Sequence, residues 1–204
     1  MEERINKAAR EHEESVEGWL FSDASTVLYR FFDLINDRFF DGKLSTPVLS
    51  FKRPRGTQRG HYVPGRNEIG ARENININPK HLANPLEEVI ATLAHEAAHA
   101  WQHNYGTPGK NRYHNKALRE KLAGMGIPCD RYGHSEGIAE PFVSFLREHG
   151  VTAEERLVDP DSVPSRKSRS GTQPTKWTCG CTKVWATNEV HAVCTQCGNQ
   201  FFRA

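Results

Sequence analysis

The chain has 204 residues, 37% of them hydrophobic and 25% charged, with a net charge of +2. That is enough for one soluble globular domain and an appendage, and too little charge to imply nucleic-acid binding by itself. No run of about 20 apolar residues occurs, which excludes a membrane-spanning helix and gives no reason to expect a membrane partner.

Met1-Glu2-Glu3-Arg4 lacks the basic start and apolar run of a signal peptide, so a cytoplasmic protein is expected. Residues 1–18 read as a charged, Glu-rich helix with little apolar face; a lid, a loose arm and a partly disordered segment all fit. With the residues up to 21 it is taken as an N-terminal arm. A clearer helix is expected from about Ser22 to Asp41, where Leu28, Phe31, Phe32, Ile35 and Phe39 form a core-facing stripe and Gly42 is a stop. Residues 47–78 have strand character. Val48 to Phe51 is a short apolar run, His61-Tyr62-Val63 precedes a turn signal at Pro64-Gly65, and Glu73 to Asn78 alternates polar and apolar. The alternation predicts a half-buried strand at a sheet edge, in a sheet of three short strands. Residues 52–72 are also basic, with Lys52, Arg53, Arg55, Arg59, Arg66 and Arg72 against Glu68 alone.

A further helix is expected after Asn84, with Asn84 as N-cap, Pro85 at the first position and Glu87 completing a capping box. Ile90, Leu93, Ala94, Ala97 and Trp101 would face the core, and Gly106-Thr107-Pro108-Gly109 ends the segment. Another helix follows His114 to Gly124, and a short one spans Pro141 to His149. The fold class read from this pattern is α+β: a small three-stranded sheet packed on helices, over residues 22–150. Residues 151–176, with Pro160, Pro164, Pro174 and the basic Ser165 to Gly171 run, read as a flexible tether. Residues 177–204 form a small Cys-rich module.

The motif that decides the chemistry is His95-Glu96-Ala97-Ala98-His99. Residues four apart share a helix face, so His95 and His99 can grip one ion. Glu96 projects about 100° round the helix, beside the ion rather than onto it. Its carboxylate is left free to hold and deprotonate a water there, as a zinc peptidase requires. Catalytic zinc takes a third protein ligand. Tyr105 stands where a metzincin would have its third His, so that pattern fails. His103 lies further along the same helix and suits the ion poorly. His114, beyond a Gly-containing loop, is the better candidate, with Glu120, Glu136 and Glu140 as rivals. Tyr113, Tyr132, His134 and Arg112 are candidates for stabilising an oxyanion. His12, His61, His81, His103 and His149 read as ordinary exposed or hydrogen-bonded histidines, and apart from the oxyanion role so does His134.

Cys179-x-Cys181 and Cys194-x-x-Cys197 are two knuckles separated by 12 residues. Four thiolates fit a closed structural zinc site, and so small a segment needs one to hold a fold. An Fe–S cluster or a redox pair is the alternative. Cys129 stands alone and reads as a buried thiol. Lys176, Trp177, Lys183, Trp185, Phe201, Phe202 and Arg203 mix cations with aromatics, which suits single-stranded nucleic acid, although the aromatics could simply cover the module's core.

The stretch Thr92 to Trp101, followed by a loop and Tyr113-His114-Asn115-Lys116, resembles the SprT-like zinc metallopeptidases, which include the Spartan-type proteases that digest proteins crosslinked to DNA. Phe39 to Leu44 and Met125-Gly126-Ile127-Pro128 are similar to the same family. The likeness covers about residues 24–150, is nearest to short bacterial and mobile-element members, and extends to a tail similar to the zinc ribbon many members carry. It implies zinc on His95, His99 and His114, Glu96 as general base, protein substrates, and DNA as a partner, single strands favoured, with nucleoid association if the protein is bacterial. Two other readings compete: a non-catalytic DNA- or transcription-complex-binding regulator, and a protease with no nucleic-acid role.

Overall fold

Leu28, Phe31, Phe32 and Ile35 recur at helical spacing and need a common surface to bury against. In a computed structural model of the chain they find it in one core shared by helices and a small sheet. The structure describes residues 2–15, 18–54, 56–66, 72–109, 113–162 and 174–204. Arg55, Glu68, Arg112 and the Ser165 to Gly171 run therefore lie outside the described residues.

The chain divides into two units, Met1–Pro164 and Ser165–Ala204. In the first, α1 (Glu2–Ser15) and α2 (Ser22–Phe40) precede β1 (Val48–Ser50), β2 (Gly60–Arg66) and β3 (Arg72–Ile77). A 3-10 turn (Pro79–Ala83) leads into α3 (Leu86–Tyr105), followed by α4 (Lys116–Met125) and α5 (Phe142–Glu148). The sheet order is β1-β3-β2, with β1 parallel and β2 antiparallel to β3. The fold is α+β, with α3 packed against β2, β3, α2 and α4. Leu28, Tyr29 and Ile35 of α2, Leu49 of β1, Ile75 and Ile77 of β3, and Val89, Ile90, Leu93 and Ala97 of α3 are buried together. Each large apolar side chain buried there contributes about 1.5–3 kcal/mol. No described helix is long and apolar enough to cross a membrane.

Three local expectations are corrected. The alternating segment ending at Ile77 is the central strand, not an edge. Its polar side is not a solvent face: Asn76 is buried, accepts from Ser50 Oγ and the Lys52 amide, and donates to the Lys52 carbonyl. Pro64-Gly65 does not end a strand either, because β2 runs on to Arg66 through a register shift after Val63. At the head of α3 the Asn84 side chain donates to Glu88 rather than capping an amide, and Pro85 takes the cap position with no side-chain cap bond.

The N-terminal segment has a defined seat. α1 packs on α2 and β1. Arg10 pairs with Asp33 at 2.8 Å, and the buried Tyr29 hydroxyl donates to Glu13 at 2.8 Å while accepting from the Leu49 amide. At the other end of this unit Val158 is buried in the same core, and the Glu155 carbonyl accepts from the Leu86 amide. In the second unit β4 (Thr175–Thr178), β5 (Lys183–Ala186) and β6 (Phe202–Arg203) form an antiparallel sheet in the order β5-β4-β6.

Candidate metal centres

α3 carries two helical turns of small residues, Ala94, Ala97, Ala98 and Ala100, all buried. Small side chains let neighbouring elements approach closely, and they leave His95 and His99 projecting together into a cleft of about 1560 Å³. His114 arrives from the segment before α4 and meets them there. Its Nε2 lies 2.8 Å from Nε2 of His95 and 3.1 Å from Nε2 of His99. One N–H can serve only one such contact, so mutual hydrogen bonding does not account for three converging nitrogens. Zinc–nitrogen bonds of about 2.0–2.1 Å in a tetrahedron put ligand nitrogens about 3.3 Å apart, close to the spacing seen. Burial keeps the rings neutral, with His95 pushed down to about 3 and His99 to about 4, each helped by neighbouring imidazoles. Neutral imidazoles are the form that ligates metal.

Asn115 sets the approach of His114. Its Oδ1 caps α4 at the Leu118 amide and accepts from Gln102 of α3, while its Nδ2 donates to the Thr107 carbonyl. Gly133 closes over the same ring. It stands at φ +84°, and a Cβ there would lie 2.5 Å from Cε1 of His114. Neither residue was given a part in the site by the sequence: Asn115 stood only within the Tyr113-His114-Asn115-Lys116 stretch, and the Gly in Tyr132-Gly133-His134 marks any turn.

Glu96 is buried beside the three rings. Burial pushes its carboxyl up to about 8, opposed by a hydrogen bond from the Tyr62 amide of β2. A cation on the rings would oppose it further. Gly60 makes room for this contact, since a Cβ there would come within 3.2 Å of Cγ of Glu96.

The remaining candidates are dispersed. Glu120 pairs with Lys116 on the outside of α4, and Glu136 and Glu140 are exposed, so none competes with His114. The His103 ring lies tilted 6.1 Å from that of Tyr62, and His81 bonds to Thr92. Tyr113 and Tyr132 are exposed and flank the Arg131 guanidinium, each ring 4.9 Å from it. His134 lines the cleft, bonded through Nδ1 to Asp130.

In the second unit Sγ of Cys181 lies 3.4 Å from Sγ of Cys179 and 3.6 Å from that of Cys194, and the four sulfurs of Cys179, Cys181, Cys194 and Cys197 lie within 4.8 Å of one another, all unpaired as disulfides. Zinc–sulfur bonds of about 2.3 Å give tetrahedral edges of about 3.8 Å, so the cluster fits a structural zinc. Backbone amides of Cys197 and Gln196 hold the Cys194 thiol down to about 6, nearer the thiolate that binds metal. Cys129 is a buried thiol apart from this cluster.

A model of the SprT-like family matches residues 28–130, about half of the chain. The chain belongs to the SprT-like family. The match runs from within α2 through both ligand-bearing segments, and the ribbon of four cysteines lies beyond it. No curated protein and no solved structure matches the chain. The SprT-like assignment and the geometry agree on a zinc metallopeptidase, with one catalytic and one structural zinc site.

Proposed function

We propose that this SprT-like protein is a zinc-dependent endopeptidase that associates with DNA and cleaves proteins bound or crosslinked to it. The observation that carries the peptidase half is the convergence of three neutral ring nitrogens, from His95, His99 and His114, beside the buried Glu96. A zinc ion held there supplies Lewis acidity, which lowers the pKa of water and polarises a carbonyl. Glu96 holds the attacking water, takes one of its protons and hands it to the leaving amine nitrogen. Tyr62 steadies that carboxylate through its amide. β2 is a sheet edge and Gly60, His61 and Tyr62 line the cleft, so it replaces the segment ending at Ile77 as the template for an extended peptide. Edge pairing contacts main chain, which gives weak sequence preference.

The nucleic-acid half is supported by one face of the ribbon. In the antiparallel register Lys176 faces Trp185, and Thr178 faces both Lys183 and Phe202, so two aromatics and two lysines share one side. Trp185 is 63% and Phe202 56% exposed, which suits base stacking with phosphate attraction rather than core packing.

The test is cleavage of casein, histone and the protein itself, with and without single-stranded DNA. Glu96→Gln is expected to keep both zinc ions and lose cleavage at least ~100-fold, and DNA is expected to stimulate the wild type. Cleavage retained in Glu96→Gln removes the proposed base. Single-strand affinity unchanged in a Trp185→Ala, Phe202→Ala double variant removes the DNA surface.

A further inference from the structure

We infer that His134, held by Asp130, is the side chain that binds the oxyanion formed at the scissile carbon during hydrolysis. The inference rests on the peptidase reading above. As peptide bonds are hydrolysed, the water oxygen bonds to the carbonyl carbon, the C–N bond breaks, and both water protons end on the amine, leaving carboxylate and ammonium. Between these states the carbonyl oxygen carries charge, and a donor fixed in advance stabilises it most.

His134 meets the requirement of a fixed donor on the cleft wall. It lines the same cleft as His95, Glu96 and His114, and its side chain is 79% exposed. Its Nδ1 is taken by Oδ2 of Asp130 at 2.9 Å, which leaves Nε2 as the nitrogen available to a ligand. The other carboxylate oxygen, Oδ1, accepts the amides of Tyr132 at 2.8 Å and His134 at 2.9 Å. Burial works against the Asp130 charge, but these bonds from His134 and Tyr132 hold its carboxyl below the usual range. With Nδ1 committed to that carboxylate, Nε2 is the ring position that donates to an oxyanion when the imidazole carries both protons.

The loop is built to a fixed shape and fastened to the metal site. The Asp130 amide donates to the His134 carbonyl, the Gly133 amide donates to the Asp130 carbonyl, and Cys129 bridges to Ser135. The His114 amide donates to the Arg131 carbonyl at 3.0 Å, and Gly133 lies against the His114 ring. His134 is thus positioned by the same segment that positions the third ligand. Among the described residues, the competing donors Tyr113 and Tyr132 pack on Arg131, and no described carboxylate bonds to either hydroxyl. His134 also lies past the stretch that the family match covers, which ends at Asp130.

The experiment uses the zinc-loaded full chain with a fluorogenic peptide and a phosphinic peptide that mimics the tetrahedral state. His134→Ala is expected to lower kcat about 100-fold with KM within about threefold, and to weaken the phosphinic peptide by a similar factor. Binding of uncleaved peptide in a Glu96→Gln background is expected to be unchanged, and zinc to stay at two per chain. His134→Gln, which keeps a donor, should recover part of the loss, and Asp130→Asn should fall between wild type and His134→Ala in phosphinic-peptide affinity. A kcat within threefold of wild type in His134→Ala overturns the inference, as does an equal loss of phosphinic and uncleaved peptide binding or a loss of zinc. A wild-type protein that holds two zinc ions and cleaves no peptide removes the peptidase reading, and this inference with it. Wild-type cleavage matched by His134→Ala removes this inference alone.

Discussion

Gly133 touches the third ligand more closely than any side chain could. Gly133→Ala is expected to strain a left-handed backbone position and to displace the His114 ring, because its Cβ would start 2.5 Å from Cε1. Zinc titration should show affinity at the histidine site reduced at least ~10-fold, the size of a lost supporting contact, with the cysteine site unaffected. The buried rings also set a pH dependence. His95 and His99 are held down to about 3 and about 4, first by burial and then by neighbouring imidazoles, whereas an unfolded chain protonates them near 6.5. Between about 6.5 and 4 the unfolded state therefore binds more protons, and stability falls as pH falls. Thermal melting of chelator-treated protein should give a Tm that is level above about pH 7 and declines below 6.5, at up to about 1.4 kcal/mol per pH unit for each ring. A Tm level down to about pH 4.5 would show that water reaches both rings. His95, Glu96 and His99 were legible because helical period alone brings them together. Tyr62, Asn115 and Asp130 were not, because their parts depend on which backbone amides and loops fold against them, and no local spacing encodes that.

α1 illustrates what an element contributes without touching the chemistry. It packs on α2 and on β1, the sheet edge remote from β2, and none of its described residues lines the cleft. Deleting residues 2–15 removes the Glu13 acceptor and the Arg10 guanidinium from Tyr29 and bares the apolar surface of α2 and β1 beneath, which lowers stability. The expected outcome is a lower Tm with unchanged cleavage per folded molecule, measured side by side; faster cleavage would identify α1 as a lid after all. The helices were readable as elements, since apolar stripes in α2 and α3 state both their length and their buried face. The order of the strands was not. β3 shows an alternation that fits an edge, yet Asn76 bonds to the Lys52 backbone and both Asn74 and Asn76 accept from the Ser50 hydroxyl, so polarity there reports partners inside the protein rather than water. Pro64-Gly65 misled for a related reason, since a local turn signal is absorbed by a register shift once β3 supplies the pairing.

Across the whole molecule the two metal centres fall in separate units. Cys194→Ser is therefore expected to lower zinc from two ions per chain to one while casein cleavage persists, checked by metal analysis beside the protease assay. Loss of both ions would show that the units depend on each other for folding. The ribbon was readable from cysteine spacing, whereas the packing of Val158 into the first unit, well past α5, was not, because a lone apolar residue in a proline-containing stretch carries no period. His95 and His99 sit on one rod, while His114 reaches them from the mouth of the next. A cation gripped by all three stitches two separate stretches of backbone, so removing it should unfasten a seam as well as silence a reaction. Amide exchange would register this as faster opening at the start of α4, with the centre of α3 holding firm.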